Sequence, residues 1–143
     1  MIYYTSKRLL SITIPGIIKG TINLKTDLLI GGKWQAAKDG RTFETIDPST
    51  GKVITKVASA GKADVDLAVK ASQEAVKEWS KVSPSQRAKL IHKFADALEN
   101  SKEELAAIES TDNGKPLMFA MHDLKLSASI FRYYAGACER MEG

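Results

Sequence analysis

The sequence predicts an α+β fold in which antiparallel hairpins come first and four or five helices follow. Between residues 28 and 58, short apolar runs are separated by glycine-containing turns, as is typical of hairpins. From residue 65 onward, apolar residues recur at helical spacing. Strands and helices do not alternate, so the order does not predict a parallel nucleotide-binding sheet within these residues.

The predicted strands are separated by turn signals. Two glycines follow Leu28–Ile30, and Asp39-Gly40 marks a second turn. Residues 47–51, Asp-Pro-Ser-Thr-Gly, separate the strands Phe43–Ile46 and Val53–Val57. We expect these strands to form one small antiparallel meander.

The predicted helices are separated by capping signals. Ser83, followed by Pro84 and Gln86, predicts a helix start, and Ser101 with its Glu three residues later predicts another. Asn113-Gly114 predicts a helix end, and we expect the last helix to break around His122-Asp123. The apolar faces of the predicted helices comprise Val65, Ala68, Val69, Ser72, Val76 and Trp79, then Ala88, Ile91, Phe94, Ala95 and Leu98, then Leu105 and Ile108, and finally Leu124, Ala128, Phe131, Tyr134 and Ala135.

Composition excludes several functional classes. The 143 residues are 43% hydrophobic and 27% charged, as in ordinary globular domains and unlike disordered chains. One cysteine permits no disulfide framework, and no apolar run is long enough to cross a membrane. The net charge of +4 comes entirely from residues 1–26, which hold four basic residues and no acidic ones. Nucleic-acid binding is therefore not predicted.

Residues 1–26 form a basic leader that has two interpretations. It is rich in hydroxyl side chains and lacks acids, as organelle transit peptides are. However, its arginine content is low, and Pro15 and Gly16 would interrupt an amphipathic helix. We favour an irregular extension that need not be ordered, which divides the chain into a leader (1–26) and a body (27–143).

The residues alone predict no complete catalytic constellation. There is no closely spaced glycine motif for a phosphate-binding loop. Cys138 lies late in a predicted helix, where the dipole disfavours a thiolate, so a small partly buried residue is the preferred interpretation. His92 and His122 have no partner at a metal-ligand spacing. On this basis the chain would be an interaction or structural module.

Five segments, however, resemble the aldehyde dehydrogenase superfamily in order and spacing. They are Leu29–Trp34 (LIGGKW), Phe43–Gly51 (FETIDPSTG), Val65–Ala71 (VDLAVKA), Asp112–Pro116 (DNGKP) and Arg132–Gly136 (RYYAG). The resemblance runs from about residue 28 to residue 143 and favours the NAD-dependent members. It implies the first half of a Rossmann-like α/β cofactor-binding domain.

The resemblance also implies a reaction. In the family, an aldehyde is oxidised to a carboxylic acid by hydride transfer to NAD or NADP, through a thiohemiacetal on a cysteine, with a glutamate base and an asparagine at the oxyanion. All of these residues and the dinucleotide loop fall after Gly143, and Cys138 does not match the nucleophile's motif. We therefore expect no catalytic or cofactor-binding residue here, no NAD or NADP bound to this chain alone, and no activity from it alone.

Three positions carry further expectations from the resemblance. The backbone of Ile46, with Asp112, matches positions that hold a monovalent cation in some relatives, although two ligands are few. Leu126 matches a position on the wall of the substrate tunnel, with plain core packing as the alternative. The compartment would be cytoplasmic or mitochondrial.

Two hypotheses about partners remain. The chain is the N-terminal segment of an oligomeric enzyme acting on an aldehyde, or it is a non-catalytic subunit that docks on full-length relatives or on copies of itself. Neither a membrane nor a nucleic acid is expected as a partner. In both cases we expect apolar helix faces to remain exposed.

Overall fold

The computed structural model describes residues 8–11 and 21–140. They form two units that meet in sequence between Trp79 and Ser80, and each unit is described by itself. Six strands come first and four helices follow, so the predicted α+β class is confirmed.

The strands of the first unit pair as three separate antiparallel hairpins. The strands are β1 (Arg8–Ser11), β2 (Thr21–Leu24), β3 (Leu28–Ile30), β4 (Lys33–Gln35), β5 (Thr42–Ile46) and β6 (Val53–Ala58). β1 pairs with β2, so the irregular extension predicted for the leader is wrong for these eight residues. The end of the leader joins the body, because the N–H of Ala58 donates to the carbonyl of Thr26 at 2.8 Å.

The turn between β3 and β4 is the predicted glycine turn. Gly31 and Gly32 have φ angles of 58° and 76°, which a residue with a side chain adopts at a cost. The single meander is wrong, since β4 and β5 do not pair. Between these strands Ala37 is buried and the N–H of Lys38 donates to Asp64, so this segment runs toward the following helix instead of folding β5 onto β4.

The turn between β5 and β6 is closed by Asp47. Its carboxylate accepts hydrogen bonds from the hydroxyl and N–H of Ser49, at 2.6 and 2.8 Å, and from the hydroxyl of Thr50 at 2.9 Å. These hydrogen bonds, those from Ser49 first, hold the pKa of Asp47 below its ordinary value.

Helix α1 (Lys62–Trp79) begins three residues before the first apolar position of its predicted stripe. Asp64 in its first turn is the buried residue, only 2% exposed, whereas Val65, Val69 and Val76 are each about half exposed. The exposure of these valines agrees with the expectation that the apolar helix faces remain uncovered in this chain.

The second unit consists of three helices, α2 (Pro84–Asn100), α3 (Lys102–Asn113) and α4 (Leu117–Cys138). α4 packs against both others. The helices meet on alanines, and the buried apolar residues of this unit are Ala88, Ala95, Ala106, Ala107, Ala120, Ala128 and Ala135. Larger side chains lie at the edges, and Phe94 and Tyr134, both on predicted apolar faces, are 50% and 60% exposed. This exposure agrees with the expectation that apolar helix faces remain uncovered in this chain.

The caps of the helices follow the sequence in part. Ser83 caps α2, its hydroxyl accepting from the N–H of Gln86 at 3.3 Å, as predicted. Ser101 precedes α3 but makes no capping hydrogen bond with its side chain, because its backbone (φ −102°, ψ 9°) already follows the preceding helix. α4 is continuous through His122 and Asp123, so the predicted break is wrong. The Asp123 carboxylate pairs with Lys115 and does not compete for the helix backbone.

None of the helices in the described residues combines the length and apolar character needed to cross a membrane.

Candidate functional site

The connection between α3 and α4 is a tightly bonded turn. Gly114 has a φ of 76°, and its N–H donates to the carbonyl of Ser110 at 3.0 Å, which ends α3. The hydroxyl of Ser110 then donates to the carbonyl of Lys115 at 2.6 Å, and the N–H of Lys115 donates to the side chain of Asn113 at 2.8 Å. The segment Asp112–Pro116 therefore fixes the direction in which α4 leaves α3.

Lys115 adds an ionic contact at the same turn. Its ammonium lies 2.5 Å from the carboxylate of Glu109 and 2.6 Å from that of Asp123, which joins α3 to the first turns of α4. The hydrogen bonds to Asp123 and Glu109 raise the pKa of Lys115. The hydrogen bond from Lys115 lowers the pKa of Asp123.

Arg132 makes the corresponding contact between α4 and α2. One nitrogen of its guanidinium lies 2.7 Å from the carboxylates of both Asp96 and Glu99. Hydrogen bonding to Glu99 and Asp96 raises the pKa of Arg132 further, and the same bond lowers the pKa of Glu99. Next to it, the rings of Phe94 and Phe131 meet edge to face at 4.8 Å.

α4 is apolar on two sides. One side carries its buried alanines and packs against α2 and α3. The other side, which we call the outward stripe, consists of Phe119, Leu126, Ile130 and Tyr133. All four residues of the stripe are exposed, and Leu126 is 51% exposed.

The two positions expected at a cation site lie in different units. Ile46 is exposed at the end of β5 in the first unit. Asp112 is exposed in the last turn of α3 in the second unit, and its side chain makes no ion pair within the described residues. The expected role of both stays a prediction.

Leu126 and Cys138 occupy different environments. Leu126 is not part of the alanine core of the second unit, and its two interpretations, a tunnel wall and core packing, both stay predictions. Cys138 is half-buried late in α4, and its thiol lies 3.6 Å from the carbonyl of Tyr134, as the interpretation of a small partly buried residue predicts.

No metal centre is assembled in residues 8–11 and 21–140, since no three His, Cys, Asp or Glu side chains there could hold an ion together. The ion pairs of Lys115 and Arg132 were not predicted from the sequence. Only the motifs DNGKP and RYYAG, which contain these residues, could have drawn attention to them.

The described residues form a segment of hairpins followed by helices, and its last helix carries an exposed apolar face. The chain belongs to the aldehyde dehydrogenase family, whose family model matches residues 34–143. It is 44% identical over 122 residues to "Aldehyde dehydrogenase, mitochondrial" of Leishmania tarentolae, covering 85% of this chain and 24% of that one. It is 38% identical over 126 residues to "Cytosolic 10-formyltetrahydrofolate dehydrogenase" of Xenopus laevis, covering 86% and 14%.

The comparison with solved structures also matches members of this family. The fold matches the crystal structure of PnpE in complex with nicotinamide adenine dinucleotide with a TM-score of 0.82 and 37% identity, covering 84% of this chain and 25% of that one. The chain therefore spans about a quarter or less of the length of these relatives.

Proposed function

We propose that this protein serves in the oxidation of an aldehyde to a carboxylic acid with NAD or NADP, as the hairpin-and-helix segment of an aldehyde dehydrogenase, and that these 143 residues alone are inactive. The observation that carries the proposal is the match of the fold to PnpE, which was crystallised with the dinucleotide. Family membership over residues 34–143 supports the reaction class.

The contacts at the start of α1 indicate that this helix N-terminus does not bind the cofactor. β6 leads through Gly61 into α1, a strand–loop–helix order that in other proteins holds a phosphate at the helix N-terminus. Here the carboxylate of Asp64 accepts from the N–H of Gly61 at 2.9 Å and already provides the negative charge. A dinucleotide phosphate at this position would be repelled by that carboxylate, so these residues do not fit the cofactor.

We also propose roles for the exposed residues Ile46, Asp112 and Leu126 in the complete enzyme. The Ile46 carbonyl and the Asp112 carboxylate would contribute two oxygen ligands to a monovalent cation, a suitable type of ligand for a hard ion. Leu126 would line the substrate tunnel, which its exposed position on the outward stripe supports.

An activity assay of the purified chain tests the proposal. With an aldehyde and NAD or NADP, we expect no reduced cofactor above the buffer rate from the 143 residues alone. Mixed during refolding with a relative's chain that lacks the matching quarter, the protein should restore turnover. Turnover by the chain alone would refute the predicted inactivity, and failure to restore turnover in the mixture would contradict the role as an enzyme segment.

A matched pair of variants sharpens the same assay. Ile130→Glu places a charge in the outward stripe and should abolish the restored turnover. Ser129→Glu, an exposed neighbour on the same helix but outside the stripe, should leave it intact.

A second candidate function is a non-catalytic subunit that docks on full-length relatives or on copies of itself. The exposure of the outward stripe favours it, since apolar patches of this kind are typical of binding surfaces. Adding the chain to an intact family enzyme distinguishes the two. A docking subunit changes that enzyme's turnover and elutes with it, whereas an enzyme segment does neither.

We propose the mitochondrion or the cytoplasm as the compartment, because relatives with both printed locations are among the matches. A fluorescent fusion of residues 1–26 tests the choice. Mitochondrial import would support the transit peptide, and a diffuse cytoplasmic signal would support the alternative.

A further inference from the structure

A groove on the second unit combines positive charge with apolar surface. It lies where the end of α2 and the start of α3 approach the first half of α4. Its volume is about 560 Å³, within the range that small-molecule sites occupy. Its lining residues are Glu99, Asn100, Lys102, Met118, Met121, His122 and Lys125.

The charges of the groove do not cancel. The one carboxylate in the lining, that of Glu99, lies 2.7 Å from Arg132, which it shares with Asp96, and it also interacts electrostatically with Lys102. Within residues 80–140, neither Lys102 nor Lys125 pairs with a carboxylate, and the imidazole of His122 makes no hydrogen bond. The lining therefore holds two ammonium groups against one carboxylate, and this excess of positive charge, with the ammonium of Lys125 and the imidazole of His122, can attract an anion from outside.

The other part of the lining is apolar. Met118 is 79% exposed, and Met121 beside it is half-buried. Methionine side chains are flexible and adapt to apolar ligands of different shapes. An inorganic anion would leave this surface in water, whereas a ligand with an alkyl chain would cover it.

We propose that this groove binds a small amphipathic anion, an oxyanion head on a short alkyl chain, with the head at Lys102 and Lys125 and the chain over Met118 and Met121. The head is a carboxylate or a phosphate, since both offer the oxygen acceptors that ammonium groups pair with. The site does not depend on the proposed enzyme function.

Titration calorimetry with the 143-residue protein tests the proposal, using octanoate, octyl phosphate, octanol and inorganic phosphate below micelle-forming concentrations. We expect saturable binding of octanoate or octyl phosphate, the tighter of the two identifying the head. Octanol and inorganic phosphate should each bind at least about tenfold more weakly, because each lacks one half of the interaction. Equal affinity for octanol and octanoate, or no saturable binding at all, would overturn the proposal.

Variants locate the site. Lys125→Ala should weaken octanoate binding about tenfold, the size expected from losing one charge-assisted hydrogen bond. Lys102→Ala provides an independent second variant. Lys93→Ala removes an exposed lysine of α2 that is outside the groove, and it should leave the affinity unchanged. The methyl NMR signals of Met118 and Met121 should shift on octanoate addition, and shifts confined to other methionines would refute the assignment.

Discussion

The buried carboxylate of Asp64 accepts a hydrogen bond at 3.0 Å from the backbone N–H of Lys38, which lies 26 residues earlier in the chain. Its second oxygen accepts from the N–H of Gly61 at 2.9 Å, in the manner of the acidic residue of a capping box. One side chain therefore both starts α1 and holds the segment between β4 and β5 against it.

Replacing Asp64 should destabilise the first unit. Asp64→Ala removes the acceptor of two N–H groups in a site that is only 2% exposed, and we expect a loss of about 1–3 kcal/mol in the free energy of unfolding. Asp64→Asn keeps one carbonyl acceptor and should cost less. Chemical denaturation followed by circular dichroism measures the loss.

Asp66→Ala is the matched control in the same helical turn. Asp66 pairs with Lys62 at 2.7 Å on an exposed surface, and such pairs contribute little. Amide hydrogen exchange at Lys38 should accelerate in Asp64→Ala and stay unchanged in Asp66→Ala. Equal exchange in both variants would contradict the role assigned to Asp64.

Two glycines of the second unit should respond in opposite directions to alanine. Gly114→Ala forces a side chain into a φ of 76° and should destabilise by about 1 kcal/mol. Gly136→Ala lies within α4, where the new methyl would meet Arg140 at an ordinary 3.6 Å, and should stabilise by up to about 1 kcal/mol. Thermal unfolding measures both, and a stable Gly114→Ala variant would show that the turn does not require the left-handed conformation.

The stability of the second unit should fall in acid. Arg132 holds the pKa of Glu99 below its ordinary 4.5, and Lys115 holds the pKa of Asp123 below its ordinary 3.8. A lowered folded-state pKa contributes stability that is present above the ordinary value and is lost as the pH falls through the folded-state value. The melting temperature should therefore stay constant as the pH is lowered to the ordinary pKa values of Glu99 and Asp123. It should decrease as the pH is lowered further.

The double variant Glu99→Gln/Asp123→Asn is the control for this acid dependence. Its melting temperature should be lower than that of the parent at neutral pH and should depend less on pH in the acid range. An unchanged acid profile would show that other carboxylates control the transition.

The elements that could be predicted from the sequence are those that depend on interactions between residues close together in the chain. The turns at Gly31 and Gly114 and the cap at Ser83 were predictable, because each depends on the conformation or hydrogen bonding of its own residues. The separation of β4 from β5 was not predictable, because it depends on the hydrogen bond from Lys38 to the distant Asp64. The spacing of apolar residues along a helix also does not show whether another part of the same chain covers the apolar stripe.

The candidate site illustrates the same limit. Leu126, Ile46 and Asp112 were proposed through a family resemblance, and no local pattern would have singled them out. The contacts of Arg132 with α2 span 33 and 36 residues, a separation for which the sequence has no periodic signal.

The two faces of α4 should respond differently to the same polar substitution. Ala128→Gln inserts a larger polar side chain into a fully buried position between the helices, and should unfold the second unit through overpacking and a buried amide. Ile130→Gln, two residues later on the outward stripe, changes a side chain that is 46% exposed, so it should cost much less stability than Ala128→Gln and should reduce self-association. Sedimentation velocity and circular dichroism measure the two outcomes. If Ile130→Gln unfolds the unit as Ala128→Gln does, the stripe is part of the unit's own core, and the view that it awaits a further layer of protein must be given up.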